Sequence, residues 1–482
     1  MNKFTFGAAA LALTGAAAAA VPAYLGWQTE QEFNAALNDV AVNANSPITV
    51  TLVKYERGWL HSSATHRIAL KADPEVHFDV QHSIRQLPDP SRGFVVIEST
   101  PKWPQKVQAA ADYYFGGKPA FSVQTVKRFD RSVTMTFDSP AFSKPMIAQP
   151  DVKLSWGGAS GTMSAADSGK VDVKLDLPRI ALEGAALTAE FTGMEVRGDW
   201  LMAGNQADWS GRTDLGIREI SVTSPIANAS LKGVETGVVQ RNQGATVLVG
   251  YTLKVKEGAA QKQGEALQSF RNAVLDVEFD RLDRKALAKY FDDVAGADRA
   301  QLAPDAHNRL VGHIALGMFG DLLKGSPEMR VKQLAVQTEN GQVSGSAVLA
   351  FNGKGFAAQP GAQASPAELM SRVKFTGSAE LSSTLLQDWM TGGAREQALS
   401  VLAAQGTRFE ESQLQTLAQE MVRQQLAQLE ASGLLKAEGD KFVIRAEYSA
   451  GALTVNGVRN DRFLPPLAPP VSAPADKDDQ QA

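Results

Sequence analysis

In two stretches of this chain apolar and charged residues alternate strictly. Val171, Val173, Leu175 and Leu177 are set against Asp172, Lys174 and Asp176, and Ala273, Leu275, Val277 and Phe279 against Asp276, Glu278 and Asp280. Successive side chains of a strand point to opposite faces, so each stretch has one wet face and one buried face. That pattern belongs to antiparallel sheets and argues against an all-parallel nucleotide-binding core. Val247 to Lys256 follows the same rule, and from about Val152 to Asp280 the chain is almost continuously β in character.

Upstream, Ile48 to Tyr55 and Trp59 to Leu70 read as a hairpin about the turn Glu56-Arg57-Gly58. Gly93 to Ile97 and Phe121 to Phe137 read as a further β pair, separated by the partly helical segment Pro101 to Phe115. Downstream, Asp283 is placed to cap a helix carrying Ala286, Leu287, Tyr290, Phe291 and Val294 on one face, and Pro304 opens a second helix that runs to Leu323. Met329 to Thr338 and Gln342 to Phe351 flank Asn340-Gly341, a preferred two-residue hairpin turn because both residues tolerate positive φ. A strand from Arg372 to Ser382, helices near Ser383 to Ala404 and Glu410 to Ser432, and a hairpin of Lys441 to Tyr448 with Ala452 to Val455 complete the pattern. The second of these helices is amphipathic but lacks a basic face, which predicts docking on a sheet and not lying on a membrane.

The first apolar run, Phe4 to Trp27, contains no charged residue and follows Lys3. At about 1.5 Å per residue it makes roughly 36 Å of helix, enough for a bilayer core. The cationic start, with Glu30 and Glu32 beyond the run, orients the body to the outside of the inner membrane, and Tyr24 and Trp27 sit where an interfacial belt belongs. A cleaved signal is the alternative, since Ala18-Ala19-Ala20 and Val21-Pro22-Ala23 offer small-residue cleavage sites. The expected fold is α+β and β-dominated, with large antiparallel sheets and docked helices behind one N-terminal transmembrane helix. Its expected parts are an anchor over 1–27, a helical stalk over 28–45, a β-rich part over 46–280, a mixed helix and hairpin part over 281–462, and a proline-rich, disordered or polyproline-like tail over 463–482.

Composition mainly excludes. Net charge is −4 with both signs mixed, so nothing points to nucleic acid, and the absence of cysteine removes disulfides, thiolate chemistry and Cys-ligated zinc. His61 and His66, and likewise His77 and His82, are five residues apart, so each pair faces opposite ways on a strand. His307 and His313 are six apart on a helix and cannot chelate together. Solvated strand histidines, with no metal site, are therefore expected. Gly116-Gly117-Lys118 lacks the upstream glycine of a phosphate loop, and Gly353-Lys354-Gly355 runs into Gln359-Pro360 and not into a helix. No catalytic residue and no cofactor site is predicted. Tyr55, Arg57 and Trp59 form a candidate contact patch for a lipid head group or glycan; the plainer reading is that Gly58 supplies the turn while Tyr55 and Trp59 cover a sheet end.

The Tyr55-Glu56-Arg57-Gly58 turn with Ser62-Ser63 after it, Leu322-Leu323-Lys324-Gly325-Ser326-Pro327 before a strand, and the closing Tyr448-Ser449-Ala450-Gly451 and Leu453-Thr454-Val455-Asn456-Gly457 resemble the YdgA-like family of bacterial proteins of unknown function. The resemblance spans nearly the whole chain in order. It departs at His82-Ser83-Ile84, where that family tends to have Gly-Pro-Phe-Pro after the histidine. It implies an inner-membrane-anchored periplasmic protein able to self-associate, and it carries over no catalytic residue. Two function classes follow. One is a non-enzymatic envelope protein whose curved sheet binds lipid, another apolar ligand or a partner protein. The other is a structural or assembly factor acting as a homo-oligomer.

Overall fold

The computed structural model describes residues 48–460 apart from 57–60, 72, 86–94, 129, 204–205, 265–266, 301, 303, 357–365 and 405–410. The anchor, stalk and tail readings lie outside the described residues. Among those described, no helix is long and apolar enough to cross a membrane. The fold is β-dominated and its sheet pairings are antiparallel, as the alternation requires. Contacts divide the chain into two compact units, Met1–Asp276 with Asp283–Met318, and Val277–Leu282 with Phe319–Ala482.

In the first unit β1 (Ile48–Glu56), β2 (His61–Leu70), β3 (His77–Arg85) and β4 (Val95–Lys102) form a meander. After α1 (Gln105–Phe115) it continues through β5 (Ser122–Lys127) and β6 (Val133–Ser139). The chain then makes an excursion, β7 (Phe142–Met146) and β8 (Gln149–Trp156), before β9 (Ala159–Ala165) pairs with β6. β10 (Lys170–Glu183) pairs along one edge with β9 and then with β8, in one unbroken register. β11 (Thr188–Leu201), β12 (Ser210–Thr223), β13 (Ala227–Gln243) and β14 (Thr246–Lys262) follow as long neighbours, with β15 (Gln268–Asp283) after them. The core lies against β1–β6, where Ile48, Ile68, Val80, Ile84, Ile97 and Phe121 are at most 2% exposed. Helix α2 (Arg284–Arg299) begins where expected, because the Asp283 carboxylate accepts the Ala286 N–H at 2.8 Å. Helix α3 (Pro304–Lys324) also starts at its proline.

In the second unit β16 (Glu328–Thr338), β17 (Gly341–Phe351), β18 (Val373–Ser382) and β20 (Lys441–Ser449) are consecutive neighbours, and α4 (Pro366–Arg372) precedes β18. On its other edge β20 takes β19 (Lys436–Glu438) and β21 (Ala452–Val455), and β22 (Val458–Arg459) pairs with β21. Helices α5 (Ser383–Ala404) and α6 (Glu411–Ala431) bury Ala394, Ala418, Val422 and Leu426 against Phe442 of β20, so α6 does dock on the sheet.

Two local expectations are corrected. The β16–β17 loop closes with Thr338 opposite Gly341, so its two residues are Glu339 and Asn340, and positive φ falls on Gly341 alone of the expected pair. A Cβ on Gly341 would lie 2.3 Å from Cβ of Ser382, which is why glycine is needed one residue after the turn. At the end of β15 the wet and dry faces are exchanged relative to the alternation. Phe279 is 40% exposed, while the side chains of Glu278, Asp280 and Glu328 are 13–14% exposed and paired with Lys332, Arg330 and Arg281. Ion pairing, and not hydropathy, decides that face.

Candidate functional site

Of the predicted contact patch, only Tyr55 lies among the described residues, half-buried and packed against the first unit's core. Arg57 and Trp59 lie outside them. Tyr55 follows a bulge between Leu52 and Lys54, and Val53, the extra residue, is 51% exposed.

The histidines differ from expectation. One of each pair does point outward, but His66 and His82 turn inward from neighbouring strands, with 2% and 4% exposure. His66 Nδ1 lies 2.8 Å from His82 Nε2, and His82 Nδ1 lies 2.7 Å from Ser99 Oγ on the next strand. Burial lowers His66 to about 4, and burial with the neighbouring imidazole lowers His82 to about 3, so both are neutral at physiological pH. A serine on a histidine held by a third group is the arrangement of an activated nucleophile. Ser99 is 2% exposed, however, and no substrate reaches it in this conformation. The chain of three acts as a buried polar tie across β2, β3 and β4. His307 is likewise buried, with Nε2 2.9 Å from Asp298 Oδ1. No group of three or more metal-ligating side chains converges among the described residues.

The larger feature lies on the long strands. In β10–β13 the apolar phase changes within each strand by a step of three: Leu177 to Ile180, Phe191 to Met194, Ile217 to Ile220, Leu231 to Val234. Register puts all these steps in one line across the sheet. Leu177 pairs with Met194, Met194 with Ile217, Ile217 with Val234 and Val234 with Val255. The next row is Pro178, Gly193, Arg218, Gly233 and Lys256, and beyond it the register resumes unshifted. The same line crosses from β9 to β8 at Gly157-Gly158. On alternate strands it holds glycines at positive φ, Gly158 at 84°, Gly193 at 63° and Gly233 at 60°. This is a crease, a line where left-handed glycines exchange the faces that the side chains take without slipping the pairing.

The phase change keeps one side apolar. Trp156, Ile180 and Phe191 on one side of the crease pack against the same cluster as Leu175, Leu177 and Met194 on the other. Charges change phase as well, with Lys174–Asp176 and Arg197–Glu195 before the crease and Arg179–Glu190 and Lys153–Glu183 after it. The result is an amphipathic sheet. Strands of up to 17 residues give it a length of roughly 56 Å. Near β1–β6 its apolar side is filled by core residues. Toward β12–β14 it is half-open: Leu215, Ile217, Val234, Leu253 and Val255 are partly buried, and Val238 and Tyr251 are 39% and 37% exposed. Each strand alone shows the step of three, but only the pairing register reveals that the steps align.

No curated protein and no solved structure matches this chain. One family model does, over residues 1–459, described as a bacterial protein of unknown function (DUF945). The chain thus belongs to the bacterial family of unknown function DUF945.

Proposed function

We propose that this chain is a non-enzymatic, inner-membrane-anchored periplasmic protein, of the YdgA-like kind, that binds lipid or another apolar ligand on the creased sheet. The observation that carries the reading is the half-open apolar side of β12–β14. There Leu215, Thr236 and Leu253 form one row and Ile217, Val234 and Val255 the next, with the charges kept to the other side. Extended apolar surface without a cover marks an interaction site more often than chance exposure does.

The test is native mass spectrometry of the full-length protein from membranes in mild detergent. Stoichiometric lipid is expected on the unmodified protein and on Arg197→Gln, a change on the charged side. It is expected to be lost in Leu215→Lys and Leu253→Lys variants whose circular dichroism is unchanged. Equal lipid in all four forms, or none in any, sinks the reading. A mass retaining Met1 to Trp27 supports the anchor.

The alternative, a structural factor acting through self-association, draws on the second unit. Trp389 and Leu399 of α5 are 60% and 48% exposed, and Leu417 of α6 is 42% exposed. A protomer multiple that Trp389→Glu dissociates, without bound lipid, favours that reading.

A further inference from the structure

The long strands end in hairpin tips, and three of these tips share one end of the sheet. Glu183, Thr188, Thr223, Asn228 and Gln261 are successive partners in one row. The turns just past it, 184–187, 224–226 and the one after Lys262, therefore stand side by side, about 10 Å apart at two strand spacings. This end is apolar and exposed among the described residues. Ile226 at the middle tip is 68% exposed and Leu267 at the next is 53% exposed, with Val222 and Leu231 at 39% and 36% on the strands behind them. At the opposite end Ala166-Asp167-Ser168-Gly169 and Gln243-Gly244-Ala245 offer no large apolar side chain, whereas the β11–β12 connection holds Met202 and Trp209, both half-buried, with Leu201 47% exposed beside it.

Charge distinguishes this end too. Between the crease and the tips, β12–β14 carry Arg218, Lys232, Lys256 and Lys262 against Glu257 and Glu219, which lies 3.9 Å from Lys232, and the sequence adds Glu265 two residues before Leu267. The local excess is cationic on a chain whose net charge is −4. Exposed apolar side chains at a tip, backed by a belt of cations, are what an anionic bilayer surface recognises.

The chain also enters from this end. Lys54 pairs with Thr65, Thr65 with Gln81 and Gln81 with Thr100, and the next registers carry that row through Ser122 and Asp138 to Ser160 and Asp176, with Ile48 displaced from it along β1 toward the tips. From Asp176 the strands run about seven residues further to the tips, roughly 23 Å. Between the apolar run ending at Trp27 and Ile48 stand residues 28–47, which even as the expected helical stalk, at about 1.5 Å each, reach farther than that offset. A bilayer holding Phe4 to Trp27 is therefore within reach of the tips.

We infer that the hairpin tips at Ile226 and Leu267 are a second membrane contact, set into the surface of an anionic bilayer and seated there by the belt of Arg218, Lys232, Lys256 and Lys262. The orientation argument rests on the anchor reading proposed above, whereas the tip chemistry stands by itself.

Because the chain has no cysteine, a single introduced thiol carries a label without competition. The full-length protein is reconstituted into vesicles of phosphatidylethanolamine and phosphatidylglycerol with an environment-sensitive fluorophore at Ile226→Cys, Leu267→Cys, Ala245→Cys or Ala12→Cys. The expected result is a blue shift, with quenching by doxyl-labelled lipid, at 226 and 267 and neither at 245. Emission at 226 and 267 matching that at 245 overturns the inference. So does a blue shift without lipid quenching, which means burial against a second protein copy. The Ala12→Cys label reports the anchor separately: quenching there but not at the tips leaves the anchor standing and removes the tip contact.

Discussion

His66 and His82 meet ring to ring inside the first unit, Nδ1 to Nε2 at 2.8 Å, with the rings edge-on at 69°. Such a contact needs one N–H and one lone pair, so a proton added to both rings breaks it. Both values lie below the ordinary 6.5, at about 4 and about 3, so the unfolded chain binds more protons wherever pH is below 6.5. Stability is thus full above pH 6.5 and declines as pH falls toward 4 and then 3, by up to about 1.4 kcal/mol per pH unit for each histidine. Urea unfolding followed from pH 7.5 to 4.5 should show the midpoint falling with acid. In His66→Gln/His82→Gln the slope should flatten although the protein is less stable at pH 7.5, and an unchanged slope would remove these two groups as its source.

The crease makes a backbone prediction. Gly193 and Gly233 sit at φ of 63° and 60°, and a Cβ on either would lie 2.9 Å from Cβ of Arg218 or Lys256. Alanine at either place should cost roughly 1–3 kcal/mol. Gly216 of β12 has no atom within 4 Å of a built Cβ and no positive φ, so Gly216→Ala should be close to neutral. Chemical denaturation of the three variants separates a crease from ordinary strand glycines, because equal effects would mean that positive φ is not what those positions require.

These cases show how far the sequence reaches. The Asp283 cap, the proline start of α3 and the amphipathic face of α6 were readable because each is decided by residues within a turn or two. The meeting of His66 and His82 was not, since spacing along one strand says which face a residue takes but not which strand lies beside it. The crease stood in the sequence as steps of three, such as Phe191 to Met194 and Leu231 to Val234, yet each alone resembles a helical spacing. At β15 the alternation misassigned Phe279 and Glu278 because three nearby cations, Arg281, Arg330 and Lys332, make the acidic side the drier one.

That ion-pair ladder is the second unit's test of electrostatics. Glu328 receives Arg281 at 2.5 Å and also holds Arg330, which reaches Asp280 at 3.2 Å. The carboxylate side chains are 13–14% exposed and the guanidinium groups 37–44%, so water screens part of the loss when a pair is broken. Glu328→Gln should cost about 1–3 kcal/mol. Lys436→Gln should change stability by less than about 0.5 kcal/mol, because its pair with Glu438 has a lysine side chain 58% exposed. Thermal melts at low and high salt should show a Glu328→Gln penalty that salt reduces only slightly. A penalty that vanishes in salt would mean the ladder behaves as a surface network.

Helix α6 allows the sharpest comparison, because one helix carries both a docked and an open leucine. Leu426 is 7% exposed in the cluster with Phe442, Ala418 and Val422, whereas Leu417 is 42% exposed. Leu426→Ala removes buried methyl groups and leaves a hole, at a cost of about 2–4 kcal/mol. Leu417→Ala loses little apolar burial and gains helix propensity, so it should stay within about 0.5 kcal/mol of the parent. If self-association through this unit is the protein's role, Leu417→Ala should instead weaken the oligomer while leaving the protomer's unfolding midpoint in place. Analytical ultracentrifugation alongside urea unfolding reads both quantities from the same samples, and a loss of protomer stability in Leu417→Ala would mean that the open leucine is part of the fold.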